Sequence, residues 1–167
     1  MDDLFEILYN ELIAKLETDV PELRFITQDL GQIDFYDERP PVSFPCILFD
    51  IGETIFEDAG NLMQIGTSSI SLRLAHTVYS DVSNLTNTQV REMGLKHLKL
   101  ESKIAKALHG WQPQTEAIGR FIRISVATEK RDDNIRVRLL TFSCALQFDA
   151  DLIQPTNTPF NFTSNNP

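Results

Sequence analysis

The chain has 167 residues, enough for one domain with a sizeable core and too few for two ordinary domains. Its 24 acidic residues outnumber 15 basic ones, and the formal charge of -9 argues against a nucleic-acid or anionic-membrane surface over much of the protein. No apolar run has membrane-spanning length and the sequence starts without the features of a secretory signal, so we expect a protein made and kept in a cytoplasm.

The first predicted element is a helix over residues 2–16, where apolar residues recur at helical spacing and form one broad face. A short extended segment near residues 23–26 and a loop with a break at Pro40 and Pro41 follow. Residues 44–51 are then apolar at both parities of a strand. This pattern predicts a central strand that is covered on both faces.

Two long hairpins account for most of the predicted sheet. Turn-forming residues 58–61 lie between the strand at 44–51 and a strand at 70–78 in which apolar and polar residues alternate. Residues 118–148 contain a second pair of strands, joined by a wholly polar tip at residues 129–134. Both hairpins predict antiparallel pairing.

The second hairpin changes phase along its length. The alternation in its first strand predicts a half-buried strand whose apolar parity is Ile122, Ile124 and Val126. In the second strand the apolar parity consists of Ile135, Val137 and Leu139, and then shifts by one at Leu140. Either a β-bulge lies near residues 139–140, or the outer part packs against something different from the inner part. We expect a neighbouring subunit to cover the outer part, so that Val137→Asp impairs assembly and spares the fold.

A second helix is predicted over residues 86–109, with Thr86 or Asn87 as its N-cap and Gly110 just past its end. One narrow apolar stripe is predicted to lie on the sheet and consists of Val90, Met93, His97, Leu100, Ile104, Leu108 and Trp111. Roughly opposite, a basic ridge without an interleaved acidic residue consists of Lys96, Lys99, Lys103 and Lys106. The ridge is either an ordinary solvated face or an electrostatic seam that meets the acidic hairpin of the next subunit in a ring.

After residue 150 the composition changes to Gln, Pro, Thr, Asn and Ser, with Phe160 and Phe162 between them. We therefore predict one α+β domain over residues 1–150, a mainly antiparallel sheet of two long hairpins with two helices packed on it. Residues 151–167 are predicted to form an extended tail that docks on a neighbouring chain.

Residue types that carry chemistry are sparse. The sequence has no phosphate-binding loop and no motif of a nucleophile or metal site, so we predict no catalytic residue, metal or cofactor. Cys46 and Cys144 are predicted to be packed free thiols, and the three histidines, His76, His97 and His109, satisfied core residues. The densest acidic set is Asp50, Glu53, Glu57 and Asp58, for which a solvated strand end is the favoured interpretation over a cation or acid–base site.

The order of these elements resembles that of tail terminator, or tail completion, proteins of tailed bacteriophages and prophages. The resemblance covers residues 1–150 and rests on the helix, the strand after a Pro-rich break, the hairpin, the second helix ending at residues 108–111, and the final hairpin with residues 142–144. It implies a ring, commonly six-fold, on the end of the tail tube and facing the head-tail connector or portal proteins. It also implies a virion location in the tail or neck after assembly in the host bacterial cytoplasm, and a lumen through which DNA passes without specific binding.

On this interpretation the expected subunit interface consists of Lys96, Lys99, Lys103, Lys106, Arg131, Asp132, Arg136, Val137, Arg138, Phe160 and Phe162. A head-tail adaptor or connector subunit and a tail tube subunit are the alternatives within the same class of protein. The remote alternative is a small cytoplasmic enzyme or binding domain that uses the acidic set of residues 50–58 with His76.

Overall fold

A five-stranded, mainly antiparallel sheet carries the helices of the protein, and the predicted α+β class is confirmed. The computed structural model describes residues 4–78, 80 and 82–149. The strand order is β1-β2-β3-β5-β4. In chain order the elements are α1 (Leu4–Asp19), β1 (Phe25–Gln28), β2 (Cys46–Gly60), β3 (Met63–Thr77), α2 (Thr88–Gly94), α3 (Lys96–Leu108), β4 (Ile122–Glu129) and β5 (Ile135–Asp149).

The main core lies between one face of the sheet and the two longer helices. In α1 the fully buried side chains are Leu8, Leu12 and Leu16, whose spacing of four residues places them on one side of the helix. From α3, Ile104 and Leu108 join them. The sheet contributes Ile47, Phe49, Ile70, Leu72, Leu74, Leu140, Phe142, Cys144 and Leu146.

A second, smaller core lies on the opposite face of the sheet. The loop between β1 and β2 covers it with the fully buried Ile33 and with the partly buried Tyr36, Val42 and Phe44. Beneath the loop lie the alternate side chains of three strands: Cys46, Leu48, Ala75, Ile135 and Val137. Residues 46–49 are therefore covered on both faces, as their apolar character predicted.

This second core explains the phase change in β5. The β3–β5 register runs without interruption from Thr77 opposite Ile135 to Met63 opposite Asp149, so no bulge lies near residues 139–140. The alternative prediction, that the outer and inner parts of the strand pack against different parts of the protein, is right. The expectation that Val137 is left for a neighbouring subunit is wrong, because this side chain is 0% exposed beneath the β1–β2 loop of its own chain.

The helix predicted over residues 86–109 is divided at Leu95, whose backbone ψ of 0° departs from helical geometry. Asn87 caps α2 through a side-chain bond from the backbone N–H of Val90, as predicted. The break follows Gly94, a poor helix former, whose carbonyl bonds the ring of His97. As a result Met93 leaves the predicted stripe and is 60% exposed.

Strand β4 is an exposed edge, which corrects the prediction of a half-buried strand. Its apolar residues Ile122, Ile124 and Val126 are all exposed, and a bulge lies between Arg123 and Ser125. The core cluster under the helices takes its strand residues from β2, β3 and β5. The buried residue at this edge is Phe121, just before the strand, which packs on Trp111 and Phe142.

Both cysteines are free and buried among the apolar residues, as predicted. Burial raises the pKa of the Cys46 thiol to about 12 and that of Cys144 to about 11. Neither thiol is therefore a reactive thiolate near neutral pH.

We expect Val137→Asp to unfold the protein, because it places a carboxylate in the second core and costs about 3 kcal/mol or more. Phe142→Ala truncates the main core and costs about 3 to 5 kcal/mol. Urea denaturation measures both changes in the free energy of unfolding. The matched control is Gln147→Asp, at an exposed position of the same strand, and a Val137→Asp variant as stable as this control contradicts the second core.

Candidate functional site

The β2–β3 hairpin continues past the helices as an arm, which we define as residues 50–66. β1 ends with Gln28 opposite Phe49, so β2 beyond that point is a free strand edge. Residues 52–60 are all exposed except the half-buried Thr54. The turn residues Asn61 and Leu62 both have positive φ, as two-residue hairpin turns require.

Apolar side chains are exposed along the arm. Ile55 is 63% exposed, and Leu62 and Ile65 are exposed as well. The register places Glu57 opposite Ile65 and Ile55 opposite Thr67, on the face of the sheet away from the helices. Phe56 lies on the other face, where it packs edge-on against Phe148 at 5.2 Å between ring centroids. The arm is thus an amphipathic surface that sequence reasoning identified as a hairpin but not as an extension beyond the core.

The predicted acidic set lies on the arm and is solvated. Asp50, Glu53, Glu57 and Asp58 are all exposed, and a carboxylate oxygen of Asp58 accepts a bond from the backbone N–H of Gly60 at 2.9 Å. Asp50 pairs with Ser71, which places His76 five residues, or about 17 Å, further along β3. Within residues 4–78, 80 and 82–149, no three His, Cys, Asp or Glu side chains are grouped as a metal site. The structure therefore does not bring His76 to the acidic set.

The predicted lysine ridge follows α3. Lys96, Lys99 and Lys106 are exposed, whereas Lys103 is half-buried and bonds both carboxylate oxygens of Glu22 at 2.8 Å. Part of the counter-charge is therefore supplied by the loop after α1. Lys96 and Lys99 make no ion pair with any residue that the structure describes.

An open cavity of about 1060 Å³ lies beside this ridge, between α3, the loop after α1 and the end of β3. Its basic lining residues are Arg24 from the loop after α1 and Lys96, Lys99 and Lys103 from α3, and Glu22 is an acidic lining residue. Apolar side chains line much of the rest, among them Phe44, Pro45, Met93 and Leu100. Cationic groups beside apolar walls suit a ligand that is both acidic and apolar.

Two histidines line the cavity and stack on each other. The ring centroids of His76 and His97 are 4.5 Å apart, and His97 is buried as predicted, at 7% exposure. Each Nδ1 lies within hydrogen-bond distance of a backbone carbonyl, that of Thr77 for His76 and that of Gly94 for His97. Among the described residues each Nε2 is buried without a partner, as is Nε of Arg136, which contradicts the prediction of fully satisfied histidines for this part of the chain.

His109 does not belong to the core. It is exposed, and its Nδ1 accepts a bond from the backbone N–H of Arg123 at 3.2 Å. The position of His109 at the end of α3 turns it away from the apolar face that Leu108 shares with the sheet.

The surroundings of the histidine pair predict a stability that depends on pH. Burial lowers the pKa of both His76 and His97 below the ordinary value of 6.5, and the nearby Arg136 lowers both further. For His97, Arg138 acts in the same direction and Glu101 opposes it. The unfolded chain therefore binds protons at a higher pH than the folded chain. The stabilisation is present above pH 6.5 and is lost as the pH falls towards the folded pKa values.

We expect the free energy of unfolding to decrease between about pH 7 and pH 5, and His97→Phe to reduce that decrease because it removes one titrating ring and keeps an aromatic contact. Urea denaturation at the two pH values measures this decrease in the free energy of unfolding for each variant. The control His109→Gln changes an exposed histidine and leaves the decrease intact. A His97→Phe variant with the full wild-type pH dependence would rule out this pair as its source.

The charged side chains predicted as interface residues at the last hairpin largely bond to other residues of the same chain. Arg131 bonds Asp34 and Asp133, each at 2.5 Å, and also the carbonyl of Ile33. Arg138 bonds Glu101 at 2.5 Å and the hydroxyl of Thr128. Arg131 and Arg138 therefore each have a carboxylate partner within the chain, and their place at a subunit interface stays a prediction.

The other interface predictions at this hairpin have different outcomes. Asp132 is exposed at the tip. Arg136 lies opposite His76 in the register and faces the histidine pair rather than solvent at the tip. Phe160 and Phe162 lie outside the described residues.

An arginine cluster that sequence reasoning missed fixes the loop over the second core. Arg73 bonds Asp29 at 3.0 Å, Asp34 at 2.7 Å and Glu129 at 2.7 Å, and its side chain is 13% exposed. Bonds from Arg73 and Arg131 hold the pKa of Asp34 at about 2. Bonds from Arg131 and the Tyr36 hydroxyl hold the pKa of Asp133 at about 2 as well.

We expect Arg73→Met to lower the free energy of unfolding by about 2 kcal/mol, because it leaves three carboxylates without their shared partner. Thermal or urea denaturation measures the loss. Arg123→Met at an exposed position is the matched control and should change stability by about 0.5 kcal/mol or less. Equal effects of the two substitutions would show that the cluster does not hold the loop.

Comparisons with known proteins leave the family open. No family model matches the chain, and no curated protein matches it. Among solved structures, a chain from the virion of a native gene transfer agent particle aligns over 82% of this chain and 84% of its own length, with 10% sequence identity and a TM-score of 0.39. None of the helices in the described part of the chain combines the length and apolar character required to cross a membrane.

Proposed function

We propose that the chain is a structural, non-enzymatic protein of a tailed phage or prophage particle, and that its copies form a ring at the head-tail junction. In this role the ring ends growth of the tail tube and joins the tail to the connector. DNA passes through its lumen without specific binding. The particle class comes from the resemblance of the element order to tail terminator proteins, with a six-fold ring as the expected symmetry.

The observation that carries the assembly part of the proposal is the arm. A monomer with no partner rarely keeps exposed apolar residues such as Ile55, Leu62 and Ile65 on one extended hairpin with a free strand edge. The opposite edge of the sheet, β4, also exposes apolar side chains. Because these surfaces differ, a contact between copies that uses them is heterologous, and such contacts close into rings or continue as filaments.

The charge of the chain is consistent with this role. A net charge of -9 repels DNA, which allows passage through a lumen without the retention that a basic surface causes. Basic residues on α3 and in the arginine cluster are local features within this acidic protein.

We expect the purified protein to form closed rings, detected by native mass spectrometry and negative-stain electron microscopy. Added to purified tail tubes, the rings should bind tube ends and stop elongation. Long tubes formed by the protein alone would favour a tail tube subunit, and binding to connector rings without effect on tubes would favour an adaptor. Monomers at every concentration, with no binding to tubes or connectors, would contradict the proposal.

A further inference from the structure

The cationic cavity has an excess of positive charge that the described chain does not neutralise. Of its basic side chains, Lys103 bonds Glu22, while Lys96 and Lys99 have no ion pair among the described residues. In a chain of net charge -9, unpaired lysines grouped at one cavity are unusual enough to indicate an acidic ligand.

A buried polar atom at the same cavity is a second observation that indicates a ligand. His97 lines the cavity, is 7% exposed and has no hydrogen-bond partner at Nε2 among the residues that the structure describes. Buried polar atoms in folded proteins are nearly always bonded, so each exception needs an explanation, and a molecule bound at that atom is one. With Nδ1 bonded to the carbonyl of Gly94, Nε2 of the neutral ring is an acceptor.

The arm is acidic and apolar, which complements the cationic and apolar lining of the cavity. Glu53 and Glu57 are exposed on its free edge, with Ile55 between them, and neither carboxylate has an ion pair among the described residues. The edge also carries backbone N–H groups that β1 does not reach. An acidic, apolar strand edge therefore matches a cavity with cationic and apolar walls.

The arm and the cavity lie at opposite ends of the same molecule. The arm begins β3 at Met63, and the cavity includes Thr77 at the other end of that strand. Along this strand Glu57, which pairs with Ile65, lies about 40 Å from Thr77, and Glu53, next to the pair of Thr54 with Ser68, lies about 27 Å from it. A subunit cannot place its arm in its own cavity, so the contact requires a second copy.

We propose that the arm of one subunit docks in the cationic cavity of the next, with Glu53 and Glu57 against Lys96 and Lys99. The inference rests on the proposed self-assembly and names its contact. Because the two surfaces differ and lie at opposite ends, the contact is head-to-tail and can close into a ring. It is also weakened by salt, since exposed charges contribute to it.

Charge exchange between the two surfaces tests this contact. One variant carries Lys96→Glu and Lys99→Glu in the cavity, and the other carries Glu53→Lys and Glu57→Lys on the arm. Each alone should lose association by at least about tenfold in analytical ultracentrifugation, because like charges then face each other. An equimolar mixture should recover assembly, since each arm finds a cavity of opposite charge, and so should a single chain with all four substitutions.

Exposed basic residues outside the cavity provide the control. Arg39→Glu with Lys130→Glu makes the same change of charge and should leave assembly unchanged. Circular dichroism of every variant confirms that the fold is retained. Reversal variants that assemble like wild type, or lose assembly without recovery on mixing, overturn the arm contact and leave the ring intact. Wild type that never associates overturns the ring and the arm contact together.

Discussion

The structure depends on the pairing of β3, which is bonded to β5 along all of its length and to β2 from Met63 to Ala75, with two irregularities in that register. Where a strand is paired on both edges, its backbone N–H and C=O groups are bonded, so the strand can extend beyond the part of the sheet that the helices cover. This allows β2 and β3 to extend as the arm, with the end of β5 paired to β3 there. The second core and the cavity lie at the other end of these paired strands.

The two cores share the same strands and lie at different positions along them. The helices cover one face near its middle, and the β1–β2 loop covers the opposite face at the end that holds Ala75 and Val137. A loop has few hydrogen bonds of its own to hold it, and here Arg73 and Arg131 connect it to the last hairpin. Packing beneath the loop and charge above it therefore stabilise the same segment.

Local patterns predicted the features that depend on neighbours in sequence. Alternation identified both hairpins and the change of phase at Leu140, and helical spacing identified the lysine ridge of α3. Alternation shows which side chains share a face but not whether that face is covered, so the exposure of Ile124 and the burial of Val137 were assigned the wrong way round. The partners of Arg73 lie 39 to 56 residues away, beyond any local pattern.

The long β3–β5 ladder also has a consequence for the order in which the protein folds. β2 and β3 are joined by a two-residue turn, whereas even the nearest pair of the β3–β5 ladder, Thr77 and Ile135, is separated in sequence by α2, α3 and β4. Contacts between residues so distant in sequence form slowly, because the intervening chain loses conformational entropy before the contact stabilises it. The hairpin can therefore form on newly synthesised chain well before β5 arrives. Because the arm consists of β2 and β3 alone, its exposed apolar residues are grouped on one hairpin before β5 pairs with it.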